Sequence, residues 1–228
     1  MTDDFEMHLV LPAPPETVWA HLREPELLGR WFGWHHDGFD AELREVFVDA
    51  VVVERPGREL VIAGGHRFTV DGHPAGSTLH VSRVSPADGS AWDPSWRPIE
   101  EGWVTFLQQL RLVLDLDPAA AAGTRHTVMR SGSPRAGLVT DAGPGSAWSA
   151  RLFGPEELAG TVWFRTPHQL GLRVHGWGDG LLTIMTDVPG GEGRVVLTTY
   201  GRSDDAAAAT ERDLLRWWAG VTDTVPAS

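Results

Sequence analysis

Apolar and polar positions fall into helical register most clearly over Glu100–Leu116, EEGWVTFLQQLRLVLDL. Trp103, Phe106, Leu107, Leu110, Val113 and Leu114 recur at i, i+3, i+4, i+7, i+10 and i+11, a broad stripe on a 3.6-residue helix. Glu100 and Glu101 sit in the first turn, where the helix dipole favours negative charge. Pro98 has a φ compatible with helix entry, and Pro118 lies just past the end. A helix this apolar on one side must lie across something, and what precedes it reads as a sheet.

Phe5–Leu11 alternates and predicts a strand, stopped by Pro12, Pro14 and Pro15. Pro15–Leu22 predicts a helix with Val18, Trp19 and Leu22 on its apolar face. Pro25 breaks it, and Glu26–Phe32 predicts a second short helix ending at Gly33. From Phe39 to Val84 the period shifts toward two. Val46–Glu54 and Glu59–Ala63 form a hairpin about Arg55–Arg58, and Gly64-Gly65, Asp71-Gly72 and Pro74–Gly76 mark turns around His66–Val70 and Ser77–Val84. Ser85–Pro94 reads as a loop. A strand, two short helices, antiparallel strands and one long helix give an α+β layout in which a curved sheet wraps the final helix.

These stretches resemble a known family. PPETVWAHLREPELLGRWFG is similar to the early helices of the SRPBCC (START-like) superfamily, in its branch related to the heat-shock-protein ATPase activator. VVVERPGRELVI is similar to that branch's hairpin, and EEGWVTFLQQLRLVLD to its closing helix. The resemblance covers most of residues 5–117 in the family order. It implies a helix-grip fold, an antiparallel sheet curved around the long helix with an apolar cavity between them.

After an Ala-rich linker at 119–123, TVWFRTPHQLGLRVHG (161–176) echoes VVVERPGRELVIAGG (51–65): strand, Arg and Pro at a turn, Leu, second strand. Leu181–Asp187 and Arg194–Tyr200 predict strands around Pro189–Gly191, and Ala206–Val221 predicts a helix carrying Leu214, Leu215, Trp217 and Trp218. Residues 1–118 are therefore expected to form one helix-grip domain, and 119–228 a second, degenerate copy. Ser131–Gly154, rich in Gly, Pro and Ser, lacks the paired short helices of the first half. A single domain elaborated with extra strands is the alternative.

Charge narrows the function classes. Lys+Arg 19 against Asp+Glu 31 gives a net charge of −12, which disfavours nucleic acid and anionic membranes. With Cys 0 there is no disulfide framework or thiolate chemistry. The N-terminus, MTDDFEMHLV, shows no signal-peptide pattern, and no apolar run approaches a membrane span. A cytoplasmic, bacterial-type protein is the expectation.

The histidines supply no metal-ligand spacing such as HExxH. His35-His36-Asp37 reads as a solvated loop. His66, His80 and His175 fall in predicted strands, where an inward imidazole would be the first acid–base candidate. No GxSxG elbow occurs, and Gly176–Gly180 lies between strands, a turn rather than a phosphate cradle. Asp40, Glu42 and Glu45 read as the acidic edge of a strand. Nothing demands catalysis, a metal or a cofactor.

Tryptophan is abundant, 11 against Tyr 1, and Trp19, Trp31, Trp103, Trp163, Trp177, Trp217 and Trp218 fall on apolar faces or at element ends. Such side chains fill cores and also wall small-molecule cavities. The leading expectation is a non-enzymatic protein binding a hydrophobic small molecule between sheet and long helix. Trp31, Phe47, Phe68, Leu79, Trp103 and Leu107 would line that cavity, with Phe47, Phe68 and Leu79 facing the helix from the sheet. The alternatives are a co-chaperone-like module with a chaperone or other protein partner, and a polyketide cyclase-like enzyme or self-resistance protein that sequesters a reactive natural product.

Overall fold

In the computed structural model, residues 5–83, 97–134, 142–152, 157–178, 180–186 and 192–223 are described. The expected loop at 85–94, the turn at 189–191 and part of 131–154 lie outside them. The chain divides into two compact units, Met1–Leu116 and Asp117–Ser228. Each contains one large antiparallel sheet followed in sequence by a long helix, so the fold class is α+β of helix-grip type.

The first unit runs β1 (Glu6–Leu11), α1 (Pro15–Arg23), α2 (Pro25–Leu28) and α3 (Phe39–Arg44), then β2 (Val51–Arg55), β3 (Glu59–Ile62), β4 (His66–His73), β5 (Gly76–Arg83) and α4 (Arg97–Asp115). Pro15 and Pro25 open α1 and α2, where a missing N–H costs nothing. Glu24, held extended ahead of Pro25, separates the two. The sheet order is β1-β5-β4-β3-β2. Gly76, at φ 133°, begins β5 where a Cβ would stand 2.2 Å from the Leu11 carbonyl oxygen, so only glycine fits.

Three expectations need correction in this unit. Residues 39–49 are helical, not a strand: α3 passes into a π-helical turn, Glu45–Asp49, closed by Ala50 N–H donating to the Glu45 carbonyl. Phe39, Leu43 and Phe47 are buried there at i, i+4 and i+8, a helical period that outweighs the β-branched valines beside them. Phe47 is therefore not a sheet residue, and Asp40, Glu42 and Glu45 lie on a helical surface. Second, Asp71-Gly72 does not turn; β4 runs through to His73, with Gly72 opposite Ser77. Third, α4 is buried well beyond its predicted stripe, with Val104, Thr105, Gln108, Gln109 and Leu112 shielded as well.

The second unit runs α5 (Pro118–Ala122), β6 (Arg125–Ser131), β7 (Ser133–Pro134), β8 (Ala147–Ala150), β9 (Leu158–Arg165), β10 (Gln169–Val174), β11 (Gly180–Met185), β12 (Arg194–Tyr200), α6 (Asp204–Val221) and β13 (Thr222–Asp223). The expected linker is helical: Asp117 caps it through the Ala119 N–H, Pro118 sits at its first position, and alanine is the best helix former. The sheet order is β6-β12-β11-β10-β9-β8, and β7 pairs with β13. Leu170, Leu172, Val174, Leu182, Ile184 and Leu214 are among its buried core. No described helix of the chain is long and apolar enough to cross a membrane.

Candidate functional site

Alternation on β4 sends His66, Phe68 and Val70 to one face, and the register sets Arg83, Val81 and Leu79 of β5 opposite them. On this face α4 brings Trp103 5.4 Å from Phe68, ring centroid to centroid and edge-on. Phe47, carried by the π-helical turn, lies 6.2 Å from Trp103 and 6.4 Å from Phe68. Trp31 meets Phe47 at 5.8 Å, and its indole N–H donates to the His21 carbonyl at 2.9 Å, which fixes the ring and satisfies its one polar group. The structure thus joins Trp31, Phe47, Phe68 and Trp103 in one aromatic cluster, while Leu79 and Leu107 are fully buried.

Sequence reasoning missed one member, Phe32, and named His66 only as an acid–base candidate. Phe32 contacts Trp31, Phe47, Trp103 and Phe106, the last at 4.9 Å, and so stands at the centre of the cluster. His66 lies 5.0 Å from Trp103, with Phe5 edge-on at 6.1 Å. His66 was expected in a strand, where an inward imidazole would be the first acid–base candidate, and it is buried; Phe32 follows the short helix and carries no periodic signal of its own.

His66 is the polar feature of this face. It is 3% exposed, and its Nε2 has no hydrogen-bond partner among the described residues. Burial, with a lesser push from the Arg83 charge, lowers its pKa from 6.5 to about 4, so the imidazole is neutral at pH 7. Arg83 Nη1 reaches Glu100 Oε1 at 3.5 Å, both side chains largely shielded, which anchors the start of α4 beside His66. The arrangement is an apolar aromatic wall with one neutral imidazole next to a shielded ion pair. The imidazole can either donate or accept one hydrogen bond, and the wall holds this proton acceptor away from water.

The other polar candidates fall elsewhere. His80 is on the opposite face of the sheet, and His175 is exposed in a 3-10 turn, His175–Trp177. His35 and His36 are exposed, and His36 Nε2 approaches Glu42 Oε2 at 2.8 Å, a contact that raises the imidazole pKa. A cavity of about 520 Å³ opens among Pro25, Glu26, Leu28, Asp40, Leu43, Arg44 and Val48 of α2, α3 and the π-helical turn. None of the six expected cavity residues lines it.

No family model and no curated protein matches the sequence. Among solved structures, the chain is similar to DynU16, a protein of the dynemicin biosynthetic locus, at 17% identity over 97% of each chain with a TM-score of 0.36. It is similar to the di-domain ARO/CYC BexL from the BE-7585A biosynthetic pathway at 12% identity, over 99% of this chain and 100% of that one, with a TM-score of 0.34. Protein CV1439 from Chromobacterium violaceum matches at 19% identity over 50% of this chain and 99% of its own, with a TM-score of 0.35. Each TM-score lies below 0.5, so fold and site are read from this chain's own elements and contacts.

Proposed function

We propose that the chain is an SRPBCC-like protein whose first unit binds a hydrophobic small molecule against the aromatic face between α4 and the sheet. The second unit is a degenerate copy that serves as scaffold. One observation carries this reading: a shielded, neutral His66 whose Nε2 lacks a described partner, set in a wall of aromatic rings. A buried polar atom left unpaired costs on the order of 1–3 kcal/mol. A ligand that enters beside the rings and offers one hydrogen bond relieves that cost.

The test is titration of the full chain with an uncharged apolar fluorophore such as N-phenyl-naphthylamine. Tryptophan emission is quenched, and binding is unchanged between low and high salt, because apolar burial and not charge pairing drives it. Absence of quenching at saturating fluorophore sinks the proposal. Native mass spectrometry of the purified chain then identifies any co-purifying metabolite.

The neutral imidazole favours a second reading, a cyclase-like enzyme in which His66 takes a proton from a polyketide carbon acid in a dry site. His66→Phe separates the two: a binder keeps its affinity for the apolar fluorophore and shows no turnover before or after the change, whereas an enzyme keeps affinity and loses turnover of an aromatic-polyketide precursor. The heat-shock ATPase-activator branch makes its own prediction, stimulation of such an ATPase by the purified chain.

A further inference from the structure

The outward face of the first unit's sheet gathers three side chains of a different chemistry. β1 and β5 are antiparallel, and His8 lies directly opposite His80. Glu6 precedes His8 by two residues and so points to the same side of β1. Both imidazoles approach one carboxylate oxygen: Glu6 Oε1 is 3.1 Å from His8 Nε2 and 3.0 Å from His80 Nε2. The three potential ligand atoms all lie within 4.8 Å of one another, and the two rings stack at 4.1 Å.

Two features separate this group from ordinary surface side chains. His80 Nε2 is shielded from solvent, and its short approach to Glu6 Oε1 lacks hydrogen-bond alignment, so among the described residues that nitrogen has no hydrogen-bond partner. The oxygen-to-nitrogen spacing also approaches that of a coordination sphere, and the two nearly parallel rings turn to aim both nitrogens at one ion. Ligands held at about 2.0–2.1 Å around a tetrahedral ion stand roughly 3.3–3.4 Å from each other, close to the separations already present between oxygen and each nitrogen. Arg67, the nearest cation by register on this face, is engaged with Glu59 at 3.2 Å and does not fill the space.

We propose that Glu6, His8 and His80 bind one divalent ion of the zinc class, with water completing its coordination. Two imidazoles and a carboxylate suit zinc, cobalt, nickel or copper and discriminate against magnesium and calcium, which prefer all-oxygen sites. The Glu6 carboxyl is held below its ordinary pKa, first by its hydrogen bond to His8, and is ionised at neutral pH. The ligands come from opposite ends of the sheet-forming sequence, and among the described residues β1 is an edge strand beside β5. The ion therefore clips the first strand to the last, and its binding free energy adds to the stability of the folded unit. The site is on the opposite face from the aromatic cluster and does not depend on the ligand-binding proposal.

The experiment uses the chelator-stripped full chain. Calorimetric titration with zinc chloride shows one ion per chain, cobalt chloride gives the visible bands of a low-coordinate site, and magnesium chloride gives neither signal. His8→Ala and His80→Ala each weaken zinc binding at least about tenfold, and Glu6→Gln, which keeps the side-chain shape, weakens it as well. His36→Ala, at the exposed His36–Glu42 contact, leaves it unchanged. Zinc raises the thermal midpoint of the wild type and not that of the His8→Ala/His80→Ala double variant, whose metal-free fold is checked by circular dichroism. Absence of zinc binding to the wild type overturns the proposal, and so does binding that survives in the double variant.

Discussion

The two units share a strand order and differ in what their sheets present. In each, the first strand lies beside the last, the remaining strands meander outward, and a long helix follows: β1-β5-β4-β3-β2 then α4, and β6-β12-β11-β10-β9-β8 then α6. Counted back from the closing helix, hairpin β2–β3 corresponds to β9–β10, with β8 as an added edge strand. The chemistry diverges. The first unit sets aromatic rings and a buried imidazole against α4, and β4 alternates between buried and open positions. In the second, β11 is buried at every residue and the core is mainly aliphatic, closed by Leu214 and Trp218. The contrast is one of strands rather than whole sheets, since β3 in the first unit is buried throughout and β9 in the second alternates. The same strand order thus carries an aromatic face with a buried imidazole in one unit and a mainly aliphatic core in the other.

The sharpest way to break that contrast is to remove a ring. Trp103→Ala costs about 3–5 kcal/mol, as for truncation of any buried aromatic. It also abolishes fluorophore binding, while Leu214→Ala in the second unit costs about 2–5 kcal/mol and leaves binding intact. Denaturant unfolding and the fluorophore titration check both. A loss below about 1 kcal/mol for Trp103→Ala places that ring against open space rather than in packed contact.

Acid comes next. His66 titrates near 4 when folded and near 6.5 when unfolded, so between those pH values the unfolded chain holds more protons. The contribution of the neutral imidazole is complete above pH 6.5, declines as the pH falls, and is gone below about 4. The gap is worth roughly 3 kcal/mol. The unfolding free energy of the wild type falls relative to that of His66→Phe as the pH drops through this window, because other groups titrate alike in both. Parallel curves would falsify the buried, neutral assignment.

Much of this was legible in the residues, for physical reasons that differ by element. The stripe from Trp103 to Leu114 is long and periodic, Arg194–Tyr200 is rich in β-branched residues, and both elements form as expected. The hairpin echo was visible because turn chemistry repeats: Pro56-Gly57 at one bend, Thr166-Pro167 at the other, where Thr166 Oγ1 accepts the Gln169 N–H at 2.9 Å. Residues 39–49 misled because Val46 and Val48 favour strands locally, while Phe39, Leu43 and Phe47 fix a helix through burial. The expectation put Phe47 on the sheet where it is helical, yet Phe47 still joins the cluster. The Glu6–His8–His80 group was invisible to any spacing rule, since strand register, not sequence proximity, brings His80 to the other two. Sequence spacing identifies metal ligands on one helix or loop; cross-strand ligands need the pairing.

Leu107→Trp tests whether the aromatic face has room. Leu107 is fully buried on α4, one turn beyond Trp103. Overpacking a filled core costs about 1–3 kcal/mol and forces neighbours off their rotamers. If the face binds a ligand, the added ring occupies ligand space, so fluorophore binding disappears and the stability loss falls at the low end of that range. Unfolding of the variant together with no fluorophore binding in the wild type marks a solid core, and the first unit then resembles the second in use as well as in topology.

The smallest expected effect concerns the helix that closes the second unit. Ser203 is extended at the N-cap of α6, and its Oγ accepts the Ala206 N–H at 3.4 Å. Asp204 and Asp205 follow in the first turn, where their charge complements the dipole. Ser203→Ala removes the acceptor and leaves a helix-terminal N–H to water, a loss of about 0.5–1 kcal/mol given the long hydrogen bond. Ser203→Asp restores the acceptor and adds charge of the favoured sign, so its stability returns to that of the wild type or slightly above. Hydrogen exchange at the amides of residues 206–208 reads the effect locally: faster in the alanine variant, recovered in the aspartate variant. Equal exchange in all three means that packing of Leu214 and Trp218, and not the cap, holds the start of α6. Burial alone would then close the second unit, as expected of a scaffold.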